Sequence, residues 1–313
     1  MPRREIGRVP GPLGFNSIRS TGSSRGPLSS LPPNAVLLAQ LGGIVANPNQ
    51  TPWGGNEPTP IGGPGGGNLQ LLDVQQPPFG HQGPQINDVV QGAISTCPAA
   101  AAMMAMAHAN PAAIPSMFTN FQNGSPRVYN IQFRRRNARV VRVTTRFYHQ
   151  GGRLIYASSP NRVIWPSLLE KAYAVFAGGN SYRGLARSQR QLGNPPDVSQ
   201  VMQDFVGNFG WIAHTNSQNV TQPLSGLPSS QRRNLTRALR QAGDRPTIAA
   251  SLGANVPTAT NVVANHAYAI LGYSHKRVSL RNPWNNSRIA GGAQFDLTLS
   301  QFQSAFQMVL WGL

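Results

Sequence analysis

Proline and glycine are concentrated at the start of the chain. Residues 1–85 hold 14 of the 27 prolines and 16 of the 33 glycines. Such a segment cannot build its own core, because proline removes backbone donors and glycine raises the entropy cost of ordering. We therefore expect an extended or disordered arm over residues 1–85, in which an apolar patch at 35–46 is the one place for a short helix or docking strand. Residues 86–313 should form the folded domain.

The charge of the chain is lopsided and its cysteine content is minimal. Among 313 residues there are 27 lysines and arginines, 9 aspartates and glutamates and one cysteine, Cys97, and the net charge is +18. So few carboxylates exclude a calcium cage of the EF-hand type. A single cysteine excludes an intramolecular disulfide and a zinc site with several cysteine ligands. We expect no cofactor and no metal site.

The sequence also limits where the protein is expected. It contains no run of about 18 apolar residues, so we expect no transmembrane helix. The N-terminal residues lack the apolar centre of a secretory signal peptide. The expected location is cytoplasmic, packaged in a particle such as a virion, or outside the cell after export that needs no Sec signal.

From residue 86 onward the hydrophobic pattern alternates between helical and strand periods. Helices are predicted at residues 96–107, 164–176, 197–205, 229–241 and 300–306. Strands are predicted at residues 127–133, 138–148, 153–157, 247–251, 261–272, 277–281, 295–297 and 308–311. This order predicts an α+β fold with a helical lobe at about 86–207 and a β lobe at about 208–313.

Cys97 stands at the start of a helix rich in alanine and methionine. Unpaired N–H groups and the positive end of the helix dipole favour a thiolate there. Cys97 is therefore a candidate nucleophile, although a lone cysteine in such a helix is also a common inert core residue. Gln91, six residues earlier, carries a side-chain amide that can donate to an oxyanion, or it is a solvated loop residue.

A second group of candidate residues lies near the C-terminal end of the chain. His266 stands at the head of an apolar strand, and Asn282 ends the next strand. A hairpin would bring both side chains to the same end of the sheet. An asparagine carbonyl that accepts from one imidazole nitrogen fixes the tautomer and leaves the other nitrogen for a thiol. We expect His266 to act as the base, Asn282 to orient it, and Trp284 to shield their hydrogen bond.

Several pieces of the chain together resemble the catalytic domain of calpain-type cysteine proteases. The segment WPSLLEKAYA at 165–174 is nearly identical to the family's central helix. QGAISTC at 91–97 is similar to its nucleophile loop, HAY at 266–268 to its general-base strand, and RNPW at 281–284 to its asparagine strand. The resemblance covers about 86–313. It implies a papain-like fold of two lobes that hydrolyses protein or peptide substrates, with catalytic residues Cys97, His266, Asn282 and Gln91.

The chain departs from the family's pattern at three places. Pro98 stands where the family has an aromatic residue after the nucleophile, and Ser95–Thr96 replace a Gly-Asp pair. Thr144, Thr145 and Arg146 replace an acidic pair.

Animal calpains are switched by Ca²⁺ held in acidic loops, whereas residues 86–313 hold only six scattered carboxylates. We therefore expect activity that is independent of calcium.

Other settings fit the same sequence. A long Pro/Gly arm that partners order is typical of a structural subunit of a virion or other particle, here built on a protease fold. The arm could instead deliver an exported effector or toxin. The arginine-rich stretches at 133–142 and 232–240 indicate either a solvated basic face or a weak, nonspecific nucleic-acid surface. The solvated face is favoured, since no nucleic-acid motif is present and no aromatic residues interleave with the arginines.

Overall fold

The computed structural model describes residues 55–61, 68–188, 195–218, 220–284 and 293–313. All of them belong to one unit of contacts that spans residues 46–313. The apolar patch at 35–46 and the glycine run at 62–67 lie outside the described residues. In the described ranges, no helix has the length and apolar character needed to cross a membrane.

The helices begin and end close to the predicted positions. They are α1 (Cys97–Ala109), α2 (Trp165–Phe176), α3 (Tyr182–Ser188), α4 (Pro195–Phe205), α5 (Ser229–Arg240) and α6 (Leu299–Ala305). The five predicted helices are confirmed as α1, α2, α4, α5 and α6, with ends shifted by up to two residues. The short helix α3 was not predicted.

Among the described residues, the pairs between the strands are antiparallel. In chain order they are β1 (Gln70–Asp73), β2 (Phe118–Gln122), β3 (Val128–Gln132), β4 (Val140–Thr144), β5 (Arg146–Gln150), β6 (Arg153–Leu154), β7 (Phe209–Thr215), β8 (Thr221–Gln222), β9 (Thr247–Ser251), β10 (Ala267–Ser274), β11 (Arg277–Arg281), β12 (Gln294–Thr298) and β13 (Phe306–Gly312). They form two three-stranded sheets, β1-β5-β6 and β2-β3-β4, and a seven-stranded sheet of order β12-β11-β10-β9-β13-β7-β8. Helices combined with antiparallel sheets confirm the α+β class.

The seven-stranded sheet is covered on both faces. Helix α1 packs on one face against β9 and β10, and its alanines let the helix backbone approach the strands closely. The core under α1 continues without a break from Met103 and Leu168 to Ile248 and Met308. A second core on the opposite face joins α5 and α6 to the sheet. One face of the sheet therefore shares its core with the N-terminal helices.

Three predicted strands are wrong in extent, and the first two lie between residues 138 and 157. The run 138–148 was expected as one strand, but it breaks at Thr145 into β4 and β5, which belong to different sheets. Thr145 donates its N–H to the Arg127 carbonyl (2.9 Å), so the chain leaves one sheet there and enters the other. The run 153–157 was also expected as a strand and pairs only over β6.

The strand expected at 261–272 begins only at Ala267. Asn261 and Asn265 adopt φ angles of 55° and 52°, in the left-handed region that asparagine tolerates better than most residues. These two residues turn the chain just before it enters β10. Sequence analysis did not use this cue, and it also missed β1, β2, β7 and β8.

The described part of the N-terminal segment packs on the domain and does not extend away from it. Strand β1 pairs with β5, and the segment 55–61, here called the N-terminal strap, contacts α2 and β4. The Glu57 carboxylate lies 2.5 Å from the Lys171 ammonium, which is buried in α2 and needs an anionic partner. The contacts of the folded unit thus begin well before the expected boundary at residue 85.

Candidate active site

Cys97 is the first residue of α1 and lies against the seven-stranded sheet. Its side chain is 5% exposed, and Pro98 occupies the first turn, where a missing N–H costs no helical bond. Burial raises the pKa of the Cys97 thiol to about 12, although the backbone N–H of Ala267 donates to it and opposes the shift. Ala267 is the first residue of β10. The contact therefore places the thiol beside His266, the residue that precedes this strand.

His266 and Asn282 meet at one end of the β10–β11 hairpin. The His266 Nε2 lies 2.9 Å from the Asn282 Oδ1, and His266 is 2% exposed. Because the asparagine oxygen can only accept, Nε2 carries the hydrogen and Nδ1 of the neutral ring is left as an acceptor. Burial lowers the pKa of His266 to about 4, and the bond to Asn282 partly opposes this shift. The ring is therefore a neutral base of defined tautomer.

Two aromatic rings enclose the imidazole. The Trp284 ring centroid lies 4.4 Å from that of His266, and the Tyr268 ring meets it edge-on at 4.9 Å. The Trp284 backbone N–H also donates to Asn282 Oδ1 (3.0 Å), so this one oxygen accepts from both His266 and Trp284. Trp284 is 37% exposed, whereas His266 and Asn282 are 2% and 1% exposed. The hydrogen bond between His266 and Asn282 therefore lies between buried residues.

The loop that carries Gln91 is held by contacts with two other segments of the chain. The Gln91 N–H donates to the Pro283 carbonyl (2.9 Å), which ties the loop to the residue after Asn282. A Cβ on Gly92 would lie 2.4–2.5 Å from backbone atoms of Ile155 and Tyr156, so only glycine fits there. The Gln91 side-chain Nε2 donates to the Ile94 carbonyl (2.7 Å). One amide hydrogen is thus engaged within the loop, and the amide has a second.

Glu170 supports this loop from α2. Its carboxylate accepts from Thr96 Oγ1 (2.6 Å) and from the Ala157 N–H (2.7 Å), and it is fully buried. Burial raises the pKa of Glu170, while the Thr96 and Ala157 hydrogen bonds act in the opposite direction. The bond to Thr96 fixes the residue immediately before Cys97. Glu170 is therefore a positioning residue that sequence analysis missed, although a lone carboxylate inside an apolar helix was an available signal.

The residues singled out in the sequence come together around the start of α1. His266 bonds to Asn282 directly, Cys97 joins them through Ala267, and Gln91 joins them through Pro283. In the described part of the chain, no three histidine, cysteine, aspartate or glutamate side chains gather in a way that could hold a metal ion. The arrangement can therefore supply a thiol, a base, an orienting amide and hydrogen-bond donors.

Comparison with protein families decides the classification. The family model for calpain family cysteine proteases matches residues 70–294. The chain belongs to the calpain family of cysteine proteases. No curated protein matches the chain significantly. Membership implies a papain-like fold for this calpain-family chain and proteins or peptides as its substrates. The match begins at β1, so it includes part of the segment that was expected to be an arm.

Proposed function

We propose that this calpain-family chain is a cysteine endopeptidase in which Cys97, His266 and Asn282 carry the reaction. The observation that supports this most is the 2.9 Å bond between His266 Nε2 and Asn282 Oδ1, with Cys97 one residue away through its contact to Ala267. Nucleophilic catalysis by cysteine requires a thiol, a base beside it and a group that orients the base. Cys97, His266 and Asn282 can supply these three groups in that order.

The first half of the reaction forms an acyl-enzyme. The Cys97 Sγ attacks the peptide carbonyl carbon while its proton passes to His266 Nδ1, so a C–S bond forms and the carbonyl oxygen becomes an oxyanion. When the tetrahedral species collapses, the C–N bond breaks and the proton moves from His266 to the leaving amine. Asn282 holds the ring in place and stabilises its transient positive charge.

The second half releases the acid product by hydrolysis. A water molecule attacks the thioester, and His266 removes its proton. The C–S bond then breaks, and the proton returns to the Cys97 sulfur, which restores the starting state. Two donors support the oxyanion in both halves: the second N–H of the Gln91 amide, and the Cys97 backbone N–H in the first turn of α1, where helices leave donors unpaired.

The proposed activity does not depend on calcium. Contacts from Cys97 to Ala267 and from Gln91 to Pro283 already join the nucleophile loop to the strands that carry His266 and Asn282. No cation is needed to bring these elements together. The alternatives of a particle subunit and of an exported effector depend on residues 1–54. These residues lie outside the described chain, so both settings and the cellular location stay predictions.

A peptidyl epoxide that alkylates protease thiols tests the assignment. The full chain is incubated with the epoxide and digested, and the adduct is mapped by mass spectrometry. We expect one adduct on Cys97 and loss of peptide hydrolysis. His266→Ala should abolish both the adduct and the hydrolysis, because the ring no longer removes the thiol proton. The matched control is His81→Ala, since His81 is exposed and takes part in none of the hydrogen bonds described for the site.

Two further variants complete this test. Cys97→Ala and Cys97→Ser should abolish hydrolysis and leave the thermal midpoint nearly unchanged, because both replace the thiol without adding bulk. Hydrolysis that survives in Cys97→Ala, or an adduct that survives in His266→Ala, would overturn the proposal.

A further inference from the structure

The backbone of His266 is held by a buried hydroxyl on the neighbouring strand. Ser251, the last residue of β9, is completely buried, and its Oγ accepts from the His266 N–H at 2.9 Å. The same hydroxyl lies 2.8 Å from the Val263 carbonyl oxygen and 3.0 Å from that of His266, to which it can donate. The Ser251 N–H also donates to the His266 carbonyl (2.9 Å). This one serine therefore contacts both polar groups of the His266 backbone.

A second hydroxyl holds the turn that leads into β10. Tyr268 Oη accepts from the Val263 N–H (2.8 Å), while the Tyr268 ring lies edge-on against the His266 imidazole. Val263 stands two residues before Asn265, whose left-handed φ turns the chain into the strand. The N–H and C=O of Val263 are thus bonded by side-chain hydroxyls, ahead of the first residue of β10. Such bonds fix the course of a turn that the strand ladder does not reach.

The peptide group between His266 and Ala267 connects these contacts to the thiol. In a trans peptide the C=O and the N–H point in opposite directions. The carbonyl of this group accepts from Ser251, and its N–H, which belongs to Ala267, donates to the Cys97 thiol. Ser251 and the thiol therefore lie on opposite sides of one planar group. A shift of that group would move the imidazole and the thiol contact together.

We propose that Ser251 and Tyr268 are positioning residues, whose hydroxyls set the place of the His266 ring relative to the Cys97 thiol. The inference rests on the proposed function, because the two hydroxyls act only through the proton transfer between those groups. A misplacement of about 1 Å in a reacting group can cost about 100-fold in rate. The bond to Asn282 fixes the rotation of the ring, whereas the two hydroxyls fix the backbone from which the ring extends.

Steady-state hydrolysis of a fluorogenic peptide by the full chain tests the proposal. Ser251→Ala should lower kcat about tenfold or more and change KM by less than about twofold, because proton transfer enters the chemical step and not the binding of the peptide. Tyr268→Phe keeps the ring against the imidazole and loses only the bond to Val263. It should lower kcat about fivefold, again with KM unchanged.

The matched control is Thr247→Val, at the other end of β9. Thr247 is also completely buried, and its hydroxyl also donates to a backbone carbonyl, that of Arg245 (2.8 Å). This variant should lower the thermal midpoint about as much as Ser251→Ala does, because each loses one buried hydrogen bond. Its kcat should stay within about twofold of the wild type, since the lost bond does not reach His266.

Three results would overturn the proposal. The first is a wild-type kcat in both Ser251→Ala and Tyr268→Phe; if Ser251→Ala does not fold, Tyr268→Phe alone decides. The second is a change in KM without a change in kcat. The third is an equal loss of kcat in Ser251→Ala and Thr247→Val, which would mean that buried hydroxyls act through stability alone. Wild-type hydrolysis that is absent, or that survives in Cys97→Ala, contradicts the proposed function itself, and this inference then fails with it.

Discussion

At the scale of the residue, burial drives both reacting groups toward their neutral forms. The pKa of Cys97 is raised to about 12 and that of His266 is lowered to about 4. Both shifts favour the protonated thiol and the uncharged imidazole at neutral pH. In the proposed reaction, proton transfer from the thiol to the imidazole therefore accompanies attack on the substrate.

The raised pKa of Cys97 predicts its reactivity toward a small reagent. Alkylation by iodoacetamide needs the thiolate, so the rate should rise about tenfold for each pH unit between pH 7 and 9, with no plateau. Cys97 is the single cysteine, so intact mass reports it directly. In urea the thiol should return to a pKa near 8.5, and the rate should level off above about pH 9. A plateau below pH 8 in the folded protein would contradict the neutral thiol.

The hydrogen bond from His266 to Asn282 predicts unequal losses of activity. His266→Ala removes the group that transfers the proton and should lower kcat/KM about 10³-fold or more. Asn282→Ala keeps that group but frees the ring to reorient, and it should cost less than about 100-fold. Hydrolysis of a fluorogenic peptide measures both variants, and circular dichroism confirms that they are folded. Equal losses would assign Asn282 a role beyond orientation.

Much of the candidate site could be predicted from sequence, because its side chains follow strand and helix ends. Cys97, His266 and Asn282 each stand where a periodic pattern begins or ends. The local contacts could not be predicted. That Gln91 Nε2 donates to Ile94 depends on the local course of the loop, and that Glu170 reaches Thr96 depends on how α2 packs against the loop. No sequence pattern determines either of these.

At the scale of the element, the N-terminal strap compensates a buried charge. Lys171 donates to the carbonyls of Thr144 (3.0 Å) and Arg146 (2.6 Å), which hold the ends of β4 and β5 together. Burial lowers the pKa of Lys171 to about 8, and the Glu57 carboxylate opposes this shift. The strap thus stabilises the charged lysine that bridges two sheets.

Removal of the Glu57 charge should therefore destabilise the domain in a pH-dependent way. Glu57→Gln should cost about 3 kcal/mol of unfolding free energy at pH 7, because it leaves a buried ammonium unpaired. The folded-state pKa of Lys171 already lies below its unfolded value of about 10.5 and falls further in the variant. The unfolded state then binds more protons, so the loss should shrink as the pH rises from 7 to 9. Urea denaturation at both pH values measures this.

Two variants serve as controls for this experiment. Glu57→Gln/Lys171→Met removes both charges and should recover most of the stability at pH 7. Asp296→Asn breaks the exposed pair with Arg277 (4.0 Å) and should cost less than about 1 kcal/mol. If Glu57→Gln costs no more than Asp296→Asn, the strap does not stabilise Lys171.

The break between β4 and β5 explains where prediction of the fold reached its limit. Residues 138–148 alternate apolar and polar side chains without glycine or proline, so they read as one strand. The break at Thr145 is caused by distant residues: the Arg127 carbonyl, the Asp73 carboxylate and the Lys171 ammonium. Asn265, by contrast, is a residue type that favours a turn. The late start of β10 was therefore readable from the sequence.

At the scale of the whole molecule, positive charge dominates the surface and carboxylates are scattered. With a net charge of +18, the protein repels divalent cations at long range and attracts polyanions. The described carboxylates do not gather around one point. Asp88 bonds to Trp165, Asp204 pairs with Arg135, and Glu170 bonds to Thr96. A calcium site needs six to eight oxygens around one point.

We accordingly predict that peptide hydrolysis is the same in chelator and in millimolar Ca²⁺, within about twofold. Magnesium at the same concentration controls for ionic strength, which acts on any surface charge. A rise of tenfold or more with Ca²⁺ but not with Mg²⁺ would contradict the prediction and reveal a site built from backbone carbonyls.

The alanine helix α1 has a consequence for the sequence variation that the protein tolerates. Every residue from 97 to 107 is buried, so this helix has no solvent-facing side over its first three turns. A larger side chain at any of these positions would push the helix away from β10 and move Cys97 relative to His266. Natural variants should therefore keep the alanines of this helix small, even at positions far from the thiol. The chemistry of the site restricts a few residues, whereas its packing restricts an entire element.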